Sequence, residues 1–267
     1  MELRLPEHVS TEHRDLLREV AQRNEVAHGD GLLGLVLSGS AGRGLAASRS
    51  DVDVYVVLTD IAAAQRTADR SDEVDELPVA MSELQAVPSF GTPGWWFRWS
   101  FAWAPVLLDR TEGAITKAVR RQATLTPDEI DAVLLDASRL DGWLNYTYRA
   151  LKSDRDDRPL ERRLDAAESM PWLLDVVFAL AGRVRPYHKY LPWELREQPV
   201  RGWPAEDFLP LLASLLDGEP RALREVFARV EAQCAAHDVA RGHRRTEEVI
   251  AGWGEGLALL RGVHGAD

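Results

Sequence analysis

Gly39-Ser40-Ala41-Gly42-Arg43-Gly44, then five residues, then Ser50-Asp51-Val52-Asp53 form the stretch from which the fold is read. Apolar runs flank it at residues 32–38 and 52–58, each the length of a buried strand. Glycine lets a strand end bend sharply and approach a ligand closely. A strand that ends in Gly-Ser and leads into a helix aims several N–H groups at one point. Phosphate oxygens suit such a point, and Ser40 adds a hydroxyl. Asp51 and Asp53 stand at i and i+2 on the next strand, so both carboxylates face one side. At about 4 Å and an effective dielectric of 20 they repel by on the order of 4 kcal/mol, which a cation relieves. Hard oxygen donors beside a phosphate-binding turn favour Mg²⁺. Asp109 ends a further apolar run, Val106-Leu107-Leu108, and supplies a third carboxylate if its strand neighbours that of Asp53. Three such acids hold two ions, one lowering the pKa of an attacking hydroxyl and one neutralising a leaving pyrophosphate. A capped turn followed by a solvated strand end is the plainer alternative.

Working outward, residues 7–27 have the spacing of an amphipathic helix that stops at His28-Gly29-Asp30-Gly31. A short helix is expected at 61–71 and a strand at 77–83. Trp95, Phe97, Trp99, Phe101 and Trp103 all fall at odd positions, which predicts a strand with one aromatic face. Core packing is the expected role of that face, rather than a stacking platform. Beyond Gly113 the pattern is helical, over about 127–152, 159–185, 204–216, 219–236 and 245–261. Strands first and helices afterwards predict an α/β N-terminal domain, a mixed sheet flanked by helices, over 1–112. An all-α C-terminal domain follows over 113–267.

The Gly-Ser turn, nine residues, and Ser-Asp-x-Asp resemble the motif of the DNA polymerase β-like nucleotidyltransferase superfamily, which includes aminoglycoside and lincosamide nucleotidyltransferases. The match covers about 80 residues of the N-terminal half. The resemblance implies that Gly39 and Ser40 bind a nucleoside triphosphate, with Arg43 and Ser50 beside them. It also implies that Asp51, Asp53 and Asp109 bind Mg²⁺. The segments Asn145–Lys152 and Arg183–Leu191 are similar to segments of antibiotic-modifying relatives. That likeness points to Lys152 and Lys189, with Arg149 and Arg185 behind them, as triphosphate contacts. Each is otherwise a solvated helix cation. Some relatives use a helical carboxylate to deprotonate the acceptor. Glu168, in a helix that continues as an apolar run, is the residue expected to do so, through a carboxyl raised by desolvation. A salt bridge to Arg162 or Arg163 is the competing role.

Composition bounds the partners. The chain has 267 residues, 43 acidic and 32 basic, for a net charge of −11. That balance carries no strong nucleic-acid signal, and no apolar stretch is long enough to cross a bilayer. One cysteine, Cys234, excludes an internal disulfide and fits a packing role. Met1 to Arg14 is charged and contains no signal segment, so a cytoplasmic protein is expected. His237 and His243, six apart, lack helical metal-ligand spacing and are expected to be surface histidines. Glycine without a following Walker lysine excludes a P-loop. The expected activity is Mg²⁺-dependent transfer of a nucleoside monophosphate to a hydroxyl of a small molecule, such as an aminoglycoside-like or lincosamide-like antibiotic. The expected partners are thus a nucleoside triphosphate and a small-molecule acceptor, and a homodimer is compatible with relatives of this kind. Modification of a protein or tRNA, and nucleotide sensing without catalysis, are the alternatives.

Overall fold

The structure, a computed structural model, describes residues 2–47 and 50–263. The apolar run Leu32–Leu37 forms strand β1, buried along nearly its whole length, as a strand covered on both faces must be. β1 pairs antiparallel with β2 (Val52–Leu58) on one side and with β5 (Val106–Asp109) on the other. β2 in turn pairs parallel with β4 (Val74–Ala80), and β3 (Asp69–Arg70) closes that edge. The sheet is therefore mixed, in the order β3-β4-β2-β1-β5.

Helix α1 (Thr11–His28) covers one face of the sheet. The Ser10 side chain accepts from the His13 N–H and starts it, and Gly29 at φ 50° ends it. Leu17 and Val20, with no exposed surface, pack in the same cluster as Leu35, Leu37, Val54 and Val56. Each contributes about 1.5–3 kcal/mol. Glu76 of β4 points into this layer, 3% exposed, and accepts from Arg23 Nε at 2.6 Å and from Asn24 Nδ2. A buried charge paired in this way fixes β4 against α1. On the opposite face Val36 and Val57 meet Leu84 of α3 (Met81–Gln85) and Ile115, Ala118 and Val119 of α4 (Ala114–Ala123). A first compact unit accordingly spans Met1–Thr124.

Several sequence expectations change here. The helix expected at 61–71 is only the turn α2 (Asp60–Ala63), capped by Thr59. The strand expected at 77–83 begins three residues earlier, inside the acidic run, and gives way to α3 at Met81. The aromatic segment is no strand. Pro93–Phe101 is a 3₁₀ helix that buries Trp95, Trp99 and Phe101 while leaving Phe97 63% exposed. Pro93 at its first position favours a helical start, and a turn of three residues cannot keep alternate side chains on one face.

The second compact unit, Leu125–Asp267, is helical, as expected for the C-terminal part. α5 (Pro127–Asp131) opens with a capping box between Thr126 and Glu129 and runs into a π-helical segment, Ala132–Asp136. α6 (Arg139–Arg155) packs along α7 (Pro159–Leu180). α8 (Leu191–Glu197), α9 (Ala205–Leu216), α10 (Pro220–Arg241), α11 (Arg245–Ala251) and α12 (Gly256–Arg261) complete it. Trp143 of α6 stacks on Phe227 of α10, ring centroids 6.4 Å apart, both buried. Among the described residues no helix is long and apolar enough to cross a membrane.

Candidate functional site

At the end of β1 the Ser38 N–H donates to Asp53 O (2.8 Å), and its buried hydroxyl donates to Ser100 O (2.7 Å). Gly39 follows in the left-handed region, φ 59°. A Cβ there would lie 2.9 Å from Asp53 Cγ, and closer still to Oδ2. Only glycine lets the Asp53 carboxylate lie flat on the turn. Beyond it comes not the expected helix but a three-residue 3₁₀ turn, Ala41–Arg43. The N–H groups of Gly42, Arg43, Gly44 and Leu45 all bond to carbonyls of residues 38–41. A helix macrodipole is therefore absent at this point, and the segment Gly39–Ala41 is the part of the turn left to serve an anion.

Asp53 is also the centre of an acidic cluster. β2 and β4 run parallel with Asp53 opposite Asp75, so the two carboxylates share a face with Asp51 two residues away. Carboxylate oxygens of Asp51, Asp53 and Asp75 all lie within 4.8 Å of one another. At that separation each pair repels by on the order of 3 kcal/mol for an effective dielectric of 20. The Arg70 guanidinium, 3.7 Å from Asp75 and 69% exposed, offsets part of this. Three converging oxygen donors, one of them held by a turn that admits no side chain, fit a hard divalent cation.

Asp75, not Asp109, is the third carboxylate. Asp109 pairs with Gly34, four residues back along β1 from Ser38, whereas Asp53 bonds to Ser38 itself. At about 3.3 Å per residue the two acids stand roughly 13 Å apart along the sheet. The Asp109 carboxylate instead accepts from the N–H and Oγ1 of Thr111 (2.9 and 2.6 Å) and of Thr116 (3.2 and 3.0 Å), holding the start of α4. Burial pushes its carboxyl up, but these four bonds outweigh that and hold it below the usual range. The acidic run Asp72-Glu73-Val74-Asp75-Glu76 resembles a loop in sequence. Its strand buries Val74 on the α1 face of the sheet and Val79 on the opposite face, so no one-sided alternation marks it in the sequence.

Arg43 and Ser50 also differ from expectation. Arg43 is 5% exposed, lies 4.1 Å over the Trp99 ring, and donates to the carbonyls of Gly39, Trp99, Ser100 and Ala102. It clamps the turn to the aromatic segment instead of reaching for a phosphate. The Ser50 hydroxyl accepts from the Ala47 N–H at 2.9 Å. Ser40 is buried under the turn. Beside the turn a groove of about 960 Å³ is lined by Glu12, Asp15, Glu19, Asp72 and Glu73, together with His8 and His13.

The remaining predicted residues lie in the second unit. Lys152 is exposed, and exposed Lys189 lies 5.1 Å from the Tyr190 ring centroid. Arg149 pairs with Asp165 at 3.0 Å. Arg185 donates to Pro171 O (2.9 Å) and pairs with Asp175 (3.3 Å), which makes it a structural cation inside the helical core. Glu168 is exposed, not buried against the apolar run of its helix as expected. The desolvated acid of α7 is Asp175, pushed up to about 6 by burial against the opposing pull of Arg185 and Arg139.

No protein-family model and no curated protein matches the chain. Among solved structures it is similar to the crystal structure of a nucleotidyltransferase-like protein from Exiguobacterium sibiricum 255-15. The two are 13% identical, the alignment covers 91% of this chain and 89% of that one, and the TM-score is 0.43.

Proposed function

We propose that the chain is a divalent-cation-dependent nucleotidyltransferase that moves a nucleoside monophosphate from a nucleoside triphosphate to a hydroxyl of a small molecule. One observation carries this reading: Asp51, Asp53 and Asp75 converge at the lip of a Gly-Ser turn whose glycine lies against the Asp53 carboxylate. In such a transfer the acceptor oxygen forms a bond to the α-phosphorus, the bond to pyrophosphate breaks, and the hydroxyl proton passes to a base. Bound Mg²⁺, as two ions in this reading, supplies neutralisation of the triphosphate and activation of the hydroxyl. The three aspartates hold the cations, and the Gly39–Ser40 segment orients the phosphates. The chemistry is positioning and electrostatic stabilisation, which rewards a rigid turn. Lys152 and Lys189 as phosphate contacts and Glu168 as proton acceptor remain proposals carried by the sequence resemblance.

The acceptor proposed is a cationic small molecule with a free hydroxyl, of the aminoglycoside kind. Its support is the groove that meets the turn at Ala41 and Gly44 and reaches Ser50; Asp51, Asp53 and Asp75 stand outside its lining, and its five carboxylates concentrate cations next to them. The test is a panel of such acceptors with labelled ATP and GTP, scored for pyrophosphate and for addition of a nucleoside monophosphate. Asp51→Asn, Asp53→Asn and Asp75→Asn are each expected to lower turnover by at least a hundredfold with the fold intact. Turnover within a few-fold of wild type in any one of them removes that residue from the site, and in all three removes the proposal.

A further inference from the structure

The second unit gathers two histidines and an aspartate that are remote in sequence. Asp131 ends α5, His237 lies near the end of α10, and His243 follows Gly242, whose φ of 69° turns the chain back. Asp131 Oδ1 is 2.8 Å from His237 Nε2, and Oδ2 is 3.4 Å from His243 Nε2. One donor atom from each of the three lies within 4.8 Å of the others. In tetrahedral zinc sites, with bonds of about 2.0–2.1 Å to nitrogen and oxygen, neighbouring donors stand about 3.3 Å apart. The spacing here brackets that value.

A second, independent feature lies behind His243. Its Nδ1 is 3.0 Å from Asp238 Oδ1, on a carboxylate that is 1% exposed as a residue. Asp238 is itself fixed by the N–H groups of Thr246 (3.3 Å) and Glu247 (3.0 Å) at the start of α11. Histidines that ligate a metal characteristically give their other ring N–H to a carboxylate, which sets the tautomer and aims Nε2 at the ion. The other ring nitrogen, Nε2, faces the buried Asp131 carboxylate. Arg241 donates to Asp131 Oδ2 (Nη2 at 2.9 Å) and to Asp128 Oδ1 (2.6 Å), so it orients the same carboxylate from outside.

We propose that Asp131, His237 and His243 form a zinc site, with Asp238 as the positioning residue for His243. Imidazole nitrogens with one carboxylate suit Zn²⁺ better than Mg²⁺ or Ca²⁺. The ion would staple α5 to α10 and to the start of α11, and three protein ligands leave a fourth position for solvent. This site is separate from the aspartate cluster, and it does not depend on the transferase reading.

The test titrates Zn²⁺ into the metal-free full chain against a chromophoric chelator, with Co²⁺ as a spectroscopic probe of tetrahedral geometry. One equivalent is expected to be retained in Asp53→Asn and lost in His237→Gln/His243→Gln. Asp238→Asn should keep the stoichiometry but weaken affinity about 10–100-fold. Histidine ¹⁵N spectra of the wild type, which need no variant to fold, should show the Nε2 signals of two rings moving with one equivalent of Zn²⁺. Unchanged ring signals, or equal zinc binding in the double histidine variant, overturns the proposal.

Discussion

Replacing Gly39 with alanine isolates the contact on which the aspartate cluster rests. An L side chain at φ 59° costs about 1–2 kcal/mol relative to glycine. A Cβ 2.9 Å from Asp53 Cγ forces the carboxylate away, an overpacking cost of about 1–3 kcal/mol. Reduced freedom of the unfolded chain returns about 0.4–1 kcal/mol. Gly39→Ala should therefore destabilise the protein by about 1–5 kcal/mol, taken from those three ranges. Asp53→Ala removes Cγ and both oxygens and leaves a Cβ at 3.2 Å, a tight contact that needs only a small shift, so in that background most of the overpacking is relieved. Urea denaturation of wild type, both single variants and the double variant then yields a coupling of about 1–3 kcal/mol, the overpacking range itself. Additivity within about 0.5 kcal/mol would refute the claim that the turn is glycine because of the carboxylate above it.

Asp109→Asn should leave divalent-cation-dependent turnover within a few-fold of wild type, since that carboxylate serves Thr111 and Thr116 instead of the cluster. It should also flatten the acid side of the stability curve. A carboxyl held low in the fold adds stability above its unfolded value of about 3.9, and that stability is lost as pH falls through the folded value. Urea midpoints between pH 5 and pH 2 check this, and an unchanged pH slope in the variant would count against it. Cys234, fully buried and with its thiol pushed up to about 12, should resist a thiol reagent in the native state and react stoichiometrically in denaturant. Rapid native labelling would show that α10 is not packed as described.

What could be read from sequence was what local pattern determines. β1 and β2 were legible because strands buried on both faces read as continuous apolar runs, and a glycine turn between them follows from chain geometry. The choice between Asp75 and Asp109 was not local. Asp109 ends an apolar run and Asp75 lies inside an acidic one, and only the register of β4 on β2 and of β5 on β1 decides which acid stands beside Asp53. The aromatic segment misled because five aromatic residues at alternate positions satisfy a period of two. Pro93-Gly94 before them was the overlooked helical cue. Arg43 reads as a phosphate ligand in sequence because nothing in its neighbourhood there shows the carbonyls, some sixty residues on, that it serves. Helical spacing alone separates His237 from His243, because it does not include the Gly242 reversal that brings the second ring back beside the first.

The Arg43 clamp has a consequence for how selectivity can evolve in this protein. A planar guanidinium anchored at four carbonyls, and backed by an indole, cannot be exchanged for lysine without leaving bare oxygens in the interior. The turn is thereby welded to the 3₁₀ segment and does not swing like a flap. A ligand meeting it encounters donors already in place and loses little freedom in ordering them. Under the proposed function, discrimination among ligands falls to the residues around it, and sequence drift there can change what is recognised while the anchored turn stays constant.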